Sequence, residues 1–302
     1  MSEVFDKFID YLKVERNASP YTVRNYSADL TGFFRFLSGE SIQALDEVDK
    51  NTMRDYLWTL MQAGFAKTSI ARKLSAVRSF YRYLQRESLI SVSPVATISS
   101  PKLDRRLPEF LSQDEARRLV EAPDIETPAG QRDRALLELL YASGLRVSEL
   151  VRLDLAQVNL EAREMRVWGK GSKERVVLMG GPAAVALTAY IEHGRFKLMG
   201  ASKAQALFLN HQGARLTVRS IQSLVQAYAD MLGLAKRVHP HTVRHTFATH
   251  LLDGGADLRV VQELLGHASL SSTQIYTHVS KTQAKRVYLA AHPLAGGGGR
   301  ES

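Results

Sequence analysis

Through residue 90 the apolar positions recur at three- and four-residue steps, the period of helices with one buried face. Val4, Phe5, Phe8, Ile9 and Leu12 predict a first helix. Ser19-Pro20 reads as a cap with proline at the first helical position, and Tyr26, Leu30, Phe33, Phe34 and Leu37 form the stripe of a second helix. A third is expected from about Lys50 to Met61, with Met53, Leu57, Leu60 and Met61 facing inward and Ala63-Gly64 ending it. A fourth runs from about Thr68 to Glu87 on a core stripe of Ile70, Leu74, Val77, Tyr81 and Leu84.

The pattern breaks at Ser91–Pro108, where Pro94, Ser99-Ser100-Pro101, Lys102, Arg105, Arg106 and Pro108 read as an extended basic linker. Ser112-Gln-Asp-Glu115 is a capping box that opens a second domain. A largely buried helix follows from about Arg132 to Tyr141. Met165-Arg-Val-Trp168 and Arg175-Val-Val-Leu178 are short β-type runs around Gly169-Lys170-Gly171-Ser172-Lys173, which predicts a hairpin with Lys170 at its tip. Helices are expected from Pro182 to about Phe196, over Thr217–Leu232, over His241–Leu252 and over Asp257–Leu265, with a short strand at Ala206–Leu209. Thr282 to Ala291 reads as a tail helix. The fold class is therefore mainly α with a small β-sheet: a four-helix domain at 1–90, a linker at 91–108, a larger α+β domain at 109–292 and a flexible glycine-rich tail at 293–302.

The chain has 302 residues, 24% of them charged, and a formal net charge of +9, which favours a polyanionic partner such as DNA or RNA. There is no cysteine, so disulfides and thiolate metal sites are excluded and a reducing compartment is natural. The first residues show no secretion signal and no apolar run approaches the ~20 residues of a membrane span, so a cytoplasmic protein without membrane attachment is expected. The hairpin turn is not a GxxxxGK[ST] loop, and HExxH is absent around His239, His241, His245 and His250, so neither ATP binding nor a zincin-like centre is indicated. No cofactor or metal is expected.

The charge has a place to act. Arg72, Lys73, Arg78, Arg82 and Arg86 flank the core stripe of the fourth helix, with no acidic residue on it before Glu87. A charged helix face is ordinarily a solvated surface, but this one lacks the Glu-to-Lys pairs of such surfaces. Arg72, Lys73, Arg78 and Arg82, with Lys102, Arg105 and Lys173, are the expected phosphate contacts.

The chemistry lies further on. Gly144 breaks the chain so that Arg146 is aimed from a junction between helices, though on its own it could equally be a surface arginine paired with Glu149. His241-Thr-Val-Arg244, Leu264-Leu-Gly-His267 and Ile275-Tyr276 add two imidazoles, a guanidinium and a phenol. Arginine forks match the equatorial oxygens of a phosphate in transfer, and a tyrosine phenol needs positioning and a base to attack one. His245, His250 and Tyr288 are better explained by packing.

Each motif alone is weak, but their order (Arg, hairpin Lys, HxxR, LLGH, Tyr) resembles the tyrosine recombinase family of phage-integrase type. The phrases Ala142–Leu150, His245–Leu252, Gly255–Gln262 and Ser272–Val279 resemble its Xer subfamily, and Ser19–Tyr26 resembles the family's core-binding helical module, so the likeness spans about residues 1 to 292. The resemblance implies an N-terminal SAM-like core-binding domain and a C-terminal catalytic domain. It implies that Tyr276 attacks the scissile phosphate to give a 3′-phosphotyrosyl link and a free 5′-hydroxyl. Arg146 and Arg244 would clamp the non-bridging oxygens, Lys170 would protonate the leaving oxygen, and His241 and His267 would assist proton transfer. It further implies a dif-like double-stranded DNA site and a homo- or heterotetramer with a second Xer recombinase. An FtsK-type translocase would act as regulator, the work would be chromosome dimer resolution at cell division, and the tail helix would dock on a neighbour. A mobile-element or phage integrase, or a relaxing topoisomerase, shares the covalent step. A non-catalytic architectural DNA-binding protein would explain the charge but not the five ordered elements.

Overall fold

The computed structural model describes residues 2–101, 109–169, 174–235, 237–266 and 281–294. The chain divides into two units, Met1–Arg106 and Leu107–Ser302.

The first unit holds four helices, α1 (Ser2–Val14), α2 (Pro20–Gly39), α3 (Lys50–Gln62) and α4 (Lys67–Arg86). Side chains start two of them: the Thr22 amide donates to Ser19 Oγ at 3.1 Å and the Thr52 amide to Asp49 Oδ1 at 2.8 Å. Phe8, Leu30, Phe33, Leu37, Leu74, Phe80 and Tyr81 are wholly buried in one core. On α3 the buried residues are Met53, Tyr56 and Leu60, whereas Met61 is 55% exposed and Leu57 half-buried. Met61 was expected inside. At about 100° per residue it stands roughly 80° round from Met53, on the far side from Tyr56, which fills the seam instead.

The stretch expected to be extended linker begins differently. Val95 and Ile98 are buried in the helical core, and Arg78 donates to the Ile98 carbonyl and, at 2.8 Å, to Ser100 Oγ. Val95 and Ile98, with the Arg78 bonds and one from Gln85 Nε2 to the Ser91 carbonyl at 3.3 Å, hold this segment against α4. Lys102 and Arg105 lie outside the described residues.

The second unit is built around α6 (Pro128–Ser143), whose Ala135–Ser143 stretch is buried throughout. Before it, α5 (Gln113–Glu121) starts at the Ser112–Glu115 capping box, with the Ser112 amide 2.7 Å from Glu115 Oε2 and the Glu115 amide 3.1 Å from Ser112 Oγ. After it, Gly144 turns left-handed at φ 56° and the short α7 (Val147–Arg152) begins at Arg146. Strands β1 (Val158–Asn159), β2 (Glu164–Trp168) and β3 (Glu174–Leu178) form an antiparallel sheet in that order, with Val167 opposite Arg175. The predicted hairpin is present; its tip, with Lys170 and Lys173, lies outside the described residues.

The next helix is longer than expected and uneven: α8 (Gly181–Ala189) passes through a wider π turn, Tyr190–Gly194, into α9 (Arg195–Met199). The expected strand at Ala206–Leu209 is reduced to two isolated bridges, Asp154–Ala206 and Leu209–Arg215. The buried Arg195 guanidinium takes the carbonyls a ladder would use, donating to Ala204 and Ala206 at 2.7 and 2.8 Å. Helices α10 (Val218–Met231), α11 (Pro240–Asp253) and α12 (Leu258–Leu265) follow, then α13 (Lys281–Ala291). In this single chain α13 packs on its own domain. Tyr288 and His292 are buried, and a side chain on Gly254 would lie 2.2 Å from the Ala291 carbonyl oxygen. No helix among the described residues is long and apolar enough to cross a membrane.

Candidate active site

Arg146 and Arg244 are far apart in the second unit's sequence and meet at the C-terminus of α12. Arg244 lies on the buried face of α11 and is 8% exposed. It donates to the Gly144 carbonyl and, at 2.7 Å, to the Leu265 carbonyl. Arg146, half-buried, reaches the next carbonyl along, Gly266, at 3.4 Å. A helix C-terminus carries partial negative charge and unsatisfied carbonyls, so two guanidiniums there are favourably placed.

Glycine makes the approach possible twice. A Cβ on Gly144 would lie 2.4 Å from Phe247 Cδ1, and one on Gly266 would lie 2.9 Å from Arg175 Nε. Both have positive φ, 56° and 67°.

One carboxylate organises the cluster. Glu149 is 6% exposed and takes four hydrogen bonds. The Arg146 amide and Arg146 Nη1 donate at 2.9 and 3.1 Å, and Arg175 Nη1 and Nη2 at 2.7 and 3.0 Å. Burial works to raise its pKa, but the hydrogen bonds from Arg175 and Arg146 outweigh it and hold the carboxyl below its ordinary range. Arg244 is pushed down to about 10, first by burial and then by the positive charge of Arg146. It stays protonated at neutral pH, in surroundings that an incoming anion would improve.

His241 sits three residues before Arg244 on α11 and is exposed. That spacing makes them neighbours on the helix, the imidazole exposed and the guanidinium buried. Arg146, Arg244 and His241 are thus placed, while Lys170, His267 and Tyr276 lie outside the described residues. The sequence offers Glu149 only as a competing partner for Arg146 and gives Arg175 no role. Arg175 sits next to the lysine hairpin, and a lone arginine in a β-run gives no sign of which carboxylate it will meet.

Other histidines have structural employment. The Tyr141 hydroxyl and His250 Nδ1 are 2.8 Å apart, and His292 Nε2 is 3.2 Å from the Tyr141 carbonyl. Tyr288, also buried, stacks on His292 with ring centroids 5.3 Å apart.

In the first unit the proposed phosphate contacts separate into two kinds. Asp29, 1% exposed, pairs with Arg72 and, at 3.3 Å, with Lys73, whose ammonium also lies 5.0 Å from the Phe65 ring centroid. Arg78 is engaged by Ile98 and Ser100. Arg82 is exposed on α4. The acids missing from the helix itself are supplied by its neighbours.

Residues 109–283 match the phage integrase family, and residues 5–88 match the phage integrase N-terminal SAM-like domain. The chain is 48% identical to the tyrosine recombinase XerC of Pelotomaculum thermopropionicum over 97% of its own length and 98% of that protein's. It is 40% identical to the tyrosine recombinase XerD of Staphylococcus epidermidis over 98% and 100%. The fold is also that of the XerH site-specific recombinase in a post-cleavage complex with its palindromic difH substrate, with a TM-score of 0.68 and 24% identity over 94% of this chain and 84% of that one. With a family model covering more than half of it and relatives nearly half identical along almost its whole length, the chain belongs to the phage integrase family and is a site-specific tyrosine recombinase of the Xer group.

Proposed function

We propose that the protein cuts and rejoins double-stranded DNA at a dif-like site, in a tetramer with copies of itself or with a second Xer recombinase, to resolve chromosome dimers before division. The observation that carries this reading is the pair of guanidiniums, Arg146 and Arg244, fixed on consecutive carbonyls at the end of α12. Two guanidinium forks anchored on neighbouring carbonyls suit the charge that gathers on the equatorial oxygens of a phosphodiester in transfer. Tyr276 is the nucleophile that forms the 3′-phosphotyrosyl link. Lys170 protonates the departing 5′-oxygen, and His241 and His267 assist proton transfer. The link conserves the energy of the phosphodiester, so rejoining needs no ATP. Arg72, Lys73, Arg78, Arg82, Lys102, Arg105 and Lys173 hold the backbone of the duplex. The higher identity to XerC than to XerD, 48% against 40%, favours the XerC role. An FtsK-type translocase is its regulator, and the cytoplasm its location.

A nicked dif-like duplex that loses a short fragment on cleavage traps the covalent product. The wild-type protein gives an adduct that maps to Tyr276, and Tyr276→Phe binds the duplex without forming one. An adduct from the Phe variant would overturn the assignment.

A further inference from the structure

We propose that Arg175 is a positioning residue for strand cleavage, the counter-ion of Glu149 that leaves the charge of Arg146 available to the scissile phosphate. The inference rests on the reading of Arg146 and Arg244 as the phosphate clamp. Glu149 is buried and holds Arg146 by a single side-chain bond of 3.1 Å and by its amide. Arg175 meets the same carboxylate with both terminal nitrogens, at 2.7 and 3.0 Å, the bidentate form in which a guanidinium binds a carboxylate most strongly. Its side chain is the more enclosed of the two, 19% exposed against 36% for Arg146. The stem runs beneath Gly266, close enough that any side chain there would strike it. Arg175 is thus built in on the protein side of Glu149, whereas Arg146 keeps an open face.

The charge balance explains why a second arginine is needed. Among the described residues, Arg146 and Arg175 pair with the one carboxylate and Arg244 lies within its electrostatic reach, which leaves two positive charges. A phosphodiester carries one negative charge at rest and gathers a second as the tyrosine oxygen adds. Without Arg175 the cluster would keep one positive charge, and Glu149 would draw Arg146 inward as its sole partner. Orientation of Arg146 needs an acceptor oxygen at position 149; its availability needs any negative charge there to be answered from elsewhere.

The test uses the full-length protein and the nicked trapping duplex, with single-turnover cleavage measured at saturating protein and duplex affinity measured separately. Arg175→Gln lowers the cleavage rate roughly 10- to 100-fold, the scale of losing one charge-stabilising group, with Kd changed by less than about threefold. Arg175→Lys keeps the charge and recovers most of the rate. Glu149→Gln combined with Arg175→Gln restores the two-charge balance and is no slower than Arg175→Gln alone. Should Arg175→Gln fail to fold, the lysine variant is read against the wild type: a rate within about tenfold of it supports the charge role, and a loss of about 100-fold overturns it. A lysine variant as slow as the glutamine, a double variant whose losses multiply, a wild-type rate in Arg175→Gln, or a Kd that weakens in step with the rate overturns the proposal. Tyr276→Phe in parallel keeps the questions apart, because an adduct from it removes the cleavage reading and not merely the role of Arg175.

Discussion

Arg146 and Arg244, 98 positions apart by their numbering, donate to the neighbouring carbonyls of Gly266 and Leu265 at 3.4 and 2.7 Å. The end of α12 is the template that sets the separation of the two guanidiniums. Arg244→Lys keeps the charge but cannot hold the Gly144 and Leu265 carbonyls together while facing a phosphate. Single-turnover cleavage should fall by roughly 10²- to 10³-fold with little change in duplex affinity. A lysine variant that cleaves at the wild-type rate would show that the fork geometry is not needed.

Gly144→Ala tests the other wall of the clamp. The new methyl would fall 2.4 Å from Phe247 Cδ1 and 3.0 Å from Leu265 Cδ2, at a φ of +56°. Left-handed backbone at a non-glycine residue costs about 1–2 kcal/mol and overpacking about 1–3 more, so denaturant titration should show a loss of about 2–5 kcal/mol. A loss under about 1 kcal/mol would mean that Phe247 moves freely aside.

On α4 the four proposed phosphate contacts should not weigh equally. Arg72 already faces Asp29, and Arg78 already serves Ile98 and Ser100, while Arg82 is exposed. Each phosphate neutralised adds about 0.9 to the slope of log affinity against log salt. Arg82→Ala should therefore reduce that slope by about 0.9 and Arg72→Ala by clearly less. Equal reductions would show that Asp29 releases Arg72 to the duplex.

The packing of α13 makes stability depend on pH. Burial, aided by the nearby His250, holds His292 down to about 4 against the ordinary 6.5. The unfolded chain then binds the extra proton between these values, so the contribution is complete above about pH 6.5 and is lost as pH falls towards 4. Its size is on the order of 3 kcal/mol. Urea titrations at pH 7.5 and pH 5 should differ accordingly, and His292→Phe should flatten the dependence. An unchanged midpoint in the wild type would mean that α13 does not keep His292 dry.

The sequence alone settled what is decided within a few residues. Ser19, Ser112 and Thr217 start helices because a cap bonds an amide three positions on, and Gly144 ends one because a left-handed turn needs no distant partner. The order of Arg146, Lys170, His241, Arg244, His267 and Tyr276 was equally legible, since a family's chemistry is written as motifs along the chain. What only the tertiary structure decided are meetings across long separations: Asp29 with Arg72, Glu149 with Arg175, His292 with Tyr141. Local periodicity put Met61 in the core and missed Tyr56, because which face of α3 is buried depends on where α2 and α4 lie. A strand read at Ala206–Leu209 gave way to Arg195 for the same reason. Arg146 illustrates the division best: the chain offers Glu149 as its partner, and only the folded sheet brings Arg175 to share that partner.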